Sequence, residues 1–117
     1  MVSIQRFHST NRLSEIAIYN GVIYLAGQVP EATIQESAYE QTKEVLSFID
    51  KLLSEVGSNK SRIINAQIYL ADMDYYDEMN RAWDEWVDTT SPPTRATVEA
   101  KLALPDWKVE IVITAAA

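Results

Sequence analysis

The chain has no cysteine, one histidine (His8), three glycines and no apolar run long enough to span a bilayer. Without cysteine, disulfides, thiolate metal sites and cysteine nucleophiles are excluded. One histidine cannot build a multi-histidine centre, and no spacing suggests a prosthetic group, so neither a metal nor a cofactor is expected. Basic residues are also scarce. Ten Lys and Arg against seventeen Asp and Glu leave a formal charge of −7, which repels phosphate backbones and anionic membrane surfaces. The cluster Lys60-Ser61-Arg62 is too small to form a basic stripe, so no nucleic acid and no membrane are expected as partners. Met1 to Thr10 lacks the apolar segment of a secretory leader. A cytoplasmic location is the expectation.

What is present is an ordinary globular composition: 117 residues, 47% hydrophobic and 23% charged. That suffices for one core, and a single domain over 1–117 is expected. Ile4 to Phe7 reads as a short first strand. Ile16-Ala17-Ile18-Tyr19, Asn20-Gly21 and Val22 to Ala26 form a strong hairpin signal, because Asn-Gly supplies the two positive-φ residues of a type I′ turn. Gly27-Gln28-Val29-Pro30 interrupts the strand. Thr33 with Glu36 fits a capping box. Beyond it, Ala38, Thr42, Val45, Ile49, Leu52, Leu53 and Val56 recur at helical spacing up to Gly57, a C′ glycine. Glu40, Lys43, Glu44, Asp50 and Lys51 mark the solvated face of that helix. Ile63 to Leu70 is a strand. Asp72 or Asp74 caps a second helix, in which Met79, Trp83, Trp86 and Val87 share a face and one of Tyr75 and Tyr76 packs while the other reaches solvent.

The last quarter carries the chemistry. Pro93-Thr94-Arg95-Ala96-Thr97-Val98-Glu99 and Trp107-Lys108-Val109-Glu110-Ile111 read as two strands joined by a short turn containing Leu104-Pro105. The order strand, hairpin, helix, strand, helix, two strands is α+β, with two helices covering one face of a mixed sheet. Alternation puts Arg95, Thr97, Glu99 and Lys101 on one face and Ala96, Val98 and Ala100 on the other. It likewise sets Glu110, Val112 and Thr114 against Val109, Ile111 and Ile113. By alternation alone, Arg95, Glu99 and Lys101 form a solvated face whose cross-strand ion pairs are worth little. Glu110 interrupts an apolar run. Such a carboxylate is either paired with a cation, for which Arg95 is available, or poised in a cleft with an altered pKa.

Gly27-Gln28-Val29-Pro30, Ala66-Gln67-Ile68-Tyr69-Leu70-Ala71-Asp72, Met79-Asn80-Arg81-Ala82-Trp83, Pro93-Thr94-Arg95 and Leu104-Pro105 with Val109-Glu110-Ile111 follow one another in the order typical of the RidA family. The chain resembles that family, also called YjgF or L-PSP, the enamine/imine deaminases. The segments Ser58-Asn59-Lys60-Ser61 and Asn80 to Trp86 are similar to its YoaB-type branch. The resemblance implies a chorismate-mutase-like fold and a homotrimer whose sheets form a central barrel, with clefts between subunits. It implies hydrolysis of 2-imino or 2-enamino acids, such as 2-aminoacrylate, to 2-oxo acids and ammonia. Arg95 then binds the substrate carboxylate and Glu110 orients the attacking water, with Gly27, Thr97 and Asn80 lining the substrate site. Leu13 or Ser14 stands where a tyrosine is common in the family, and Ala26 where a serine or threonine is, which bears on substrate range. A trimeric 2-oxo acid binder without turnover is the alternative. The endoribonuclease activity ascribed to parts of the family fits the acidic charge less well.

Overall fold

The computed structural model describes residues 3–117. Its strands are β1 (Gln5–Ser9), β2 (Ser14–Tyr19), β3 (Val22–Leu25), β4 (Ile63–Leu70), β5 (Thr94–Glu99) and β6 (Val109–Ala116), with helices α1 (Ala38–Glu55) and α2 (Tyr76–Trp86). The six strands form one mixed sheet in the order β1-β2-β3-β6-β4-β5, and only β4 and β5 run parallel. Asn20 and Gly21 take positive φ at 51° and 77°, as the turn between β2 and β3 requires.

The helix α1 ends as its sequence predicts. Gly57 has φ 78°, its N–H donates to Ser54 O, and Ser58 N–H reaches back to Leu53 O, the two bonds of a Schellman motif. Its start differs from expectation. Ser37, not Thr33, is the N-cap and accepts from Glu40 N. The Thr33 hydroxyl donates instead to Glu44, whose carboxylate also accepts from the backbone N–H groups of Glu31, Ala32 and Thr33. Glu44 is therefore not part of a solvated face. Burial opposes its charge, but these hydrogen bonds outweigh that and hold its carboxyl below the usual range. Asp72 caps a short 3-10 turn (Met73–Tyr75) that leads into α2, and α2 has no side-chain cap of its own.

Both helices cover one face of the sheet. Ile16, Ile23, Ala66, Ile68, Leu70, Val109, Ile111, Ile113 and Ala115 meet Val45, Leu46, Ile49, Leu53, Met79 and Trp83 in one core. Each large side chain in it contributes on the order of 2 kcal/mol by burial. Tyr75 packs against this core while Tyr76 stays exposed. Among the described residues no element covers the opposite face, where Tyr24 and Val98 stand about half exposed.

The last two strands are not a hairpin. β4 lies between them, paired with β5 on one side and β6 on the other. The segment after Glu99 must therefore cross the end of β4, and its proline-bearing turn is part of that crossing.

Candidate active site

Arg95 is the second residue of β5, in register with Ala66 of β4. Ala66 is fully buried, so Arg95 and Thr97 point toward the helical layer and are half-buried. The strand thus alternates as predicted but in the opposite sense to that expected. Its polar side lies under α2, and Ala96 and Val98 face outward. The edge position explains this: α2, from its first residue Tyr76 through Asn80 to Trp83, offers β5 polar and aromatic groups rather than aliphatic ones. Arg95 Nη1 donates to Asn80 Oδ1 over 2.7 Å, and Nη2 lies 3.4 Å from Tyr76 Oη. The guanidinium sits 5.4 Å from the Trp83 ring centroid and 6.0 Å from that of Tyr76. Nothing anionic touches this guanidinium among the described residues, so its charge is not offset by a partner. It also retains N–H donors for a planar carboxylate. On the same side of β5, Thr97 Oγ1 is buried without a hydrogen-bond partner.

Glu110 lies on the other face. It is opposite Tyr69 in the β4–β6 ladder, and Tyr69 is opposite Val98. Its side chain is half-buried, and desolvation pushes its carboxyl above the usual glutamate range. Gly27 lies directly beneath it. A β-carbon there would collide with Glu110 Oε2 and stand 2.9 Å from Cδ. Backbone bonds between Gln28 and Ile111, 2.8 and 3.1 Å, hold these two segments together. The Gln28 side chain is buried and donates to Glu15 Oε2 and Ala26 O. Glu110, Tyr69, Val112 and Ala100 to Ala103 line a hollow of about 310 Å³, and Ala100 to Ala103 also border a cleft of about 650 Å³ that runs to Trp107.

The candidate residues therefore form two half-sites. Arg95, Asn80 and Thr97 share the helix-facing side of β5, whereas Glu110 and Gly27 share the open face. An Arg95–Glu110 ion pair within one chain is absent because the sheet separates them. Sequence reasoning missed Tyr76 and Trp83 as neighbours of Arg95. It also missed Gln41, a polar residue in the apolar stripe of α1, which is a signal in itself. Among the described residues no cluster of three His, Asp or Glu side chains could hold a metal ion.

The sequence model described as endoribonuclease L-PSP matches residues 3–117. A RutC family protein of Haemophilus influenzae is 66% identical over 114 residues, covering 97% of this chain and 98% of that protein. The RutC family protein YoaB of Escherichia coli is 44% identical over 115 residues, covering 98% and 99%. A crystal structure of a YjgF family member from Neisseria meningitidis superposes with a TM-score of 0.94 at 51% identity, covering 97% of this chain and 94% of that one. The same two helices on one face of a six-stranded mixed sheet, carrying the ordered motifs around Gly27, Asn80, Arg95 and Glu110, mean that the chain belongs to the RidA/YjgF/RutC family.

Proposed function

We propose that the protein hydrolyses 2-imino and 2-enamino acids to 2-oxo acids and ammonia. The observation that carries this reading is the presence in one chain of a stacked, unneutralised guanidinium and a half-buried, desolvated carboxyl, neither of which forms a salt bridge among the described residues. A small 2-imino acid offers the complement of both: a carboxylate for Arg95, and an electrophilic C2 for a water activated by Glu110. An enamine such as 2-aminoacrylate first gains a proton at its terminal carbon and loses one from nitrogen, which gives the imine. Glu110 then accepts a proton from water as the water oxygen bonds to C2, and passes it to the imine nitrogen. The carbinolamine collapses when its hydroxyl proton passes to Glu110 and the C–N bond breaks. Ammonia departs with the proton returned through Glu110, and the 2-oxo acid remains. A carboxyl whose pKa is raised toward the working pH suits both accepting and returning that proton.

Because the half-sites lie on opposite faces of one sheet, one substrate bridges Arg95 and Glu110 only if they come from different copies. The reading therefore includes a closed homo-oligomer, a homotrimer by family analogy, whose uncovered sheet faces meet and whose clefts lie between subunits. A second reading, a 2-oxo acid binder without turnover, is favoured by the fact that the Arg95, Asn80 and Trp83 half-site is complete within one chain. Generating 2-aminoacrylate in situ with a serine dehydratase and following its loss separates the two. Acceleration by the wild type that disappears in Arg95→Ala and Glu110→Ala supports the enzyme. Binding of 2-oxo acids through Arg95 without acceleration supports the binder.

A further inference from the structure

We infer that Gln41 is a positioning residue for Glu110, a buried amide that fixes where the chain begins β6. Gln41 lies on α1 and is 0% exposed, an unfavourable place for an amide unless it is well bonded. Its Nε2 donates to Ile34 O at 3.2 Å and to Asp106 O at 3.0 Å, and its Oε1 accepts from Lys108 N–H at 2.8 Å. Two carbonyls on one side and an N–H on the other allow only one orientation of the amide.

All three partners belong to irregular backbone, which has no ladder to satisfy it. Ile34 lies in the segment that leaves Gly27, and Lys108 precedes Glu110 by two residues. One side chain thus ties together the two segments that place Gly27 beneath the Glu110 carboxylate. Lys108 is held at each of its polar groups. Its N–H is bound by Gln41, its C=O by Ala71 N–H at 3.0 Å, and its Nζ donates to Glu36 O at 3.0 Å. An aliphatic side chain would fill the same volume in the stripe of α1 but would release the Asp106–Lys108 backbone. The inference concerns the site proposed above and rests on Glu110 acting there.

The test is a carboxyl-carbon NMR titration of Glu110 in the full chain, with steady-state kinetics on an imino acid as a second reading. The titratable neighbours of Glu110 in its hollow are Tyr69 and Lys101. In Gln41→Leu the Glu110 carboxyl is expected to titrate closer to the ordinary glutamate range, and kcat to fall about tenfold with KM little changed, as misplacement of a reacting group predicts. Gln41→Glu, protonated when buried, keeps the Lys108 bond and one carbonyl bond and is expected to restore most of the wild-type titration. Leu46→Ala, a core truncation on the same helix, serves as the control for lost stability and should leave the Glu110 titration unmoved. If Gln41→Leu does not fold, Gln41→Met is read in the same way. A Gln41 variant that melts early yet retains the wild-type Glu110 titration overturns the proposal. A wild type without turnover overturns the deaminase reading instead, and the titration still decides the role of Gln41.

Discussion

Gly27 and Glu110 are in contact across the β3 end and the start of β6, with no room for a β-carbon between them. The contact sets the carboxylate of Glu110 over bare backbone and shields it partly from water. Gly27→Ala is therefore expected to leave the fold intact, because the colliding atoms are the far end of a flexible side chain. That side chain must swing away, and imine hydrolysis should fall by about 100-fold, the usual cost of a reacting group displaced by an ångström or so. Thermal melts alongside the dehydratase-coupled assay check both halves. Full activity in Gly27→Ala would remove Glu110 from the proposed chemistry.

Glu110 should also leave a signature in the pH dependence of stability. Its pKa is raised in the folded state by burial. Between the unfolded and folded values the native state holds the extra proton, so stability falls as pH rises through that window. Glu110→Gln abolishes this dependence. The variant is expected to be more stable than the wild type at neutral pH, and the difference should vanish below about pH 4, where an unfolded glutamate is protonated. Denaturant melts at a series of pH values measure it, and parallel curves would contradict the assignment.

The separation of the half-sites by the sheet predicts complementation. Arg95→Ala and Glu110→Ala are each expected to be inactive. Unfolded together in equal amounts and refolded, they should recover about one quarter of wild-type activity, because random mixing places an intact Arg95 beside a neighbour's intact Glu110 in one cleft out of four. No recovery in mixed oligomers of confirmed composition would mean that both residues act from one chain.

Asn80 holds Arg95 from the helical side through a 2.7 Å bond. Asn80→Ala removes a hydrogen bond to a charged group, worth about 1.5–3 kcal/mol, and should weaken binding of 2-oxo acid inhibitors roughly tenfold or more. Asn80→Asp should weaken it further, since a carboxylate beside Arg95 neutralises the charge meant for the ligand. Calorimetric titration with pyruvate reads both variants, and unchanged affinity in Asn80→Asp would place the ligand elsewhere.

The helix start gives a separate stability test. Ser37→Ala removes the cap of α1 and should cost about 1 kcal/mol in urea melts. Thr33→Ala removes only one of the bonds to Glu44 and should leave the helix cap intact. A larger loss for Thr33→Ala than for Ser37→Ala would restore the capping box as the start of α1.

Much of this was legible in the chain because the signals are local. The Asn20-Gly21 turn, the stripe from Ala38 to Val56, the stop at Gly57 and the strand Ile63 to Leu70 depend on residues close in sequence, and all occur as expected. The cap failed for a non-local reason: Glu44, eleven residues away in the chain, takes the Thr33 hydroxyl. The sense of the β5 alternation failed similarly. A polar and an apolar face can be read from spacing, but which of them meets the helices depends on how far α2 extends over the sheet edge.

The same division applies to Arg95 and Glu110. Their identities, their place in two late strands, and the absence of cysteine and of a multi-histidine cluster follow from the sequence alone, as does the likeness that assigns them roles. Only the tertiary structure decided that β4 lies between those strands. Strand pairing is a choice among distant segments made by burial of whole faces, which local residues do not encode. That choice turned an expected hairpin into two half-sites on opposite faces, stacking Arg95 against Trp83 and leaving Glu110 over Gly27.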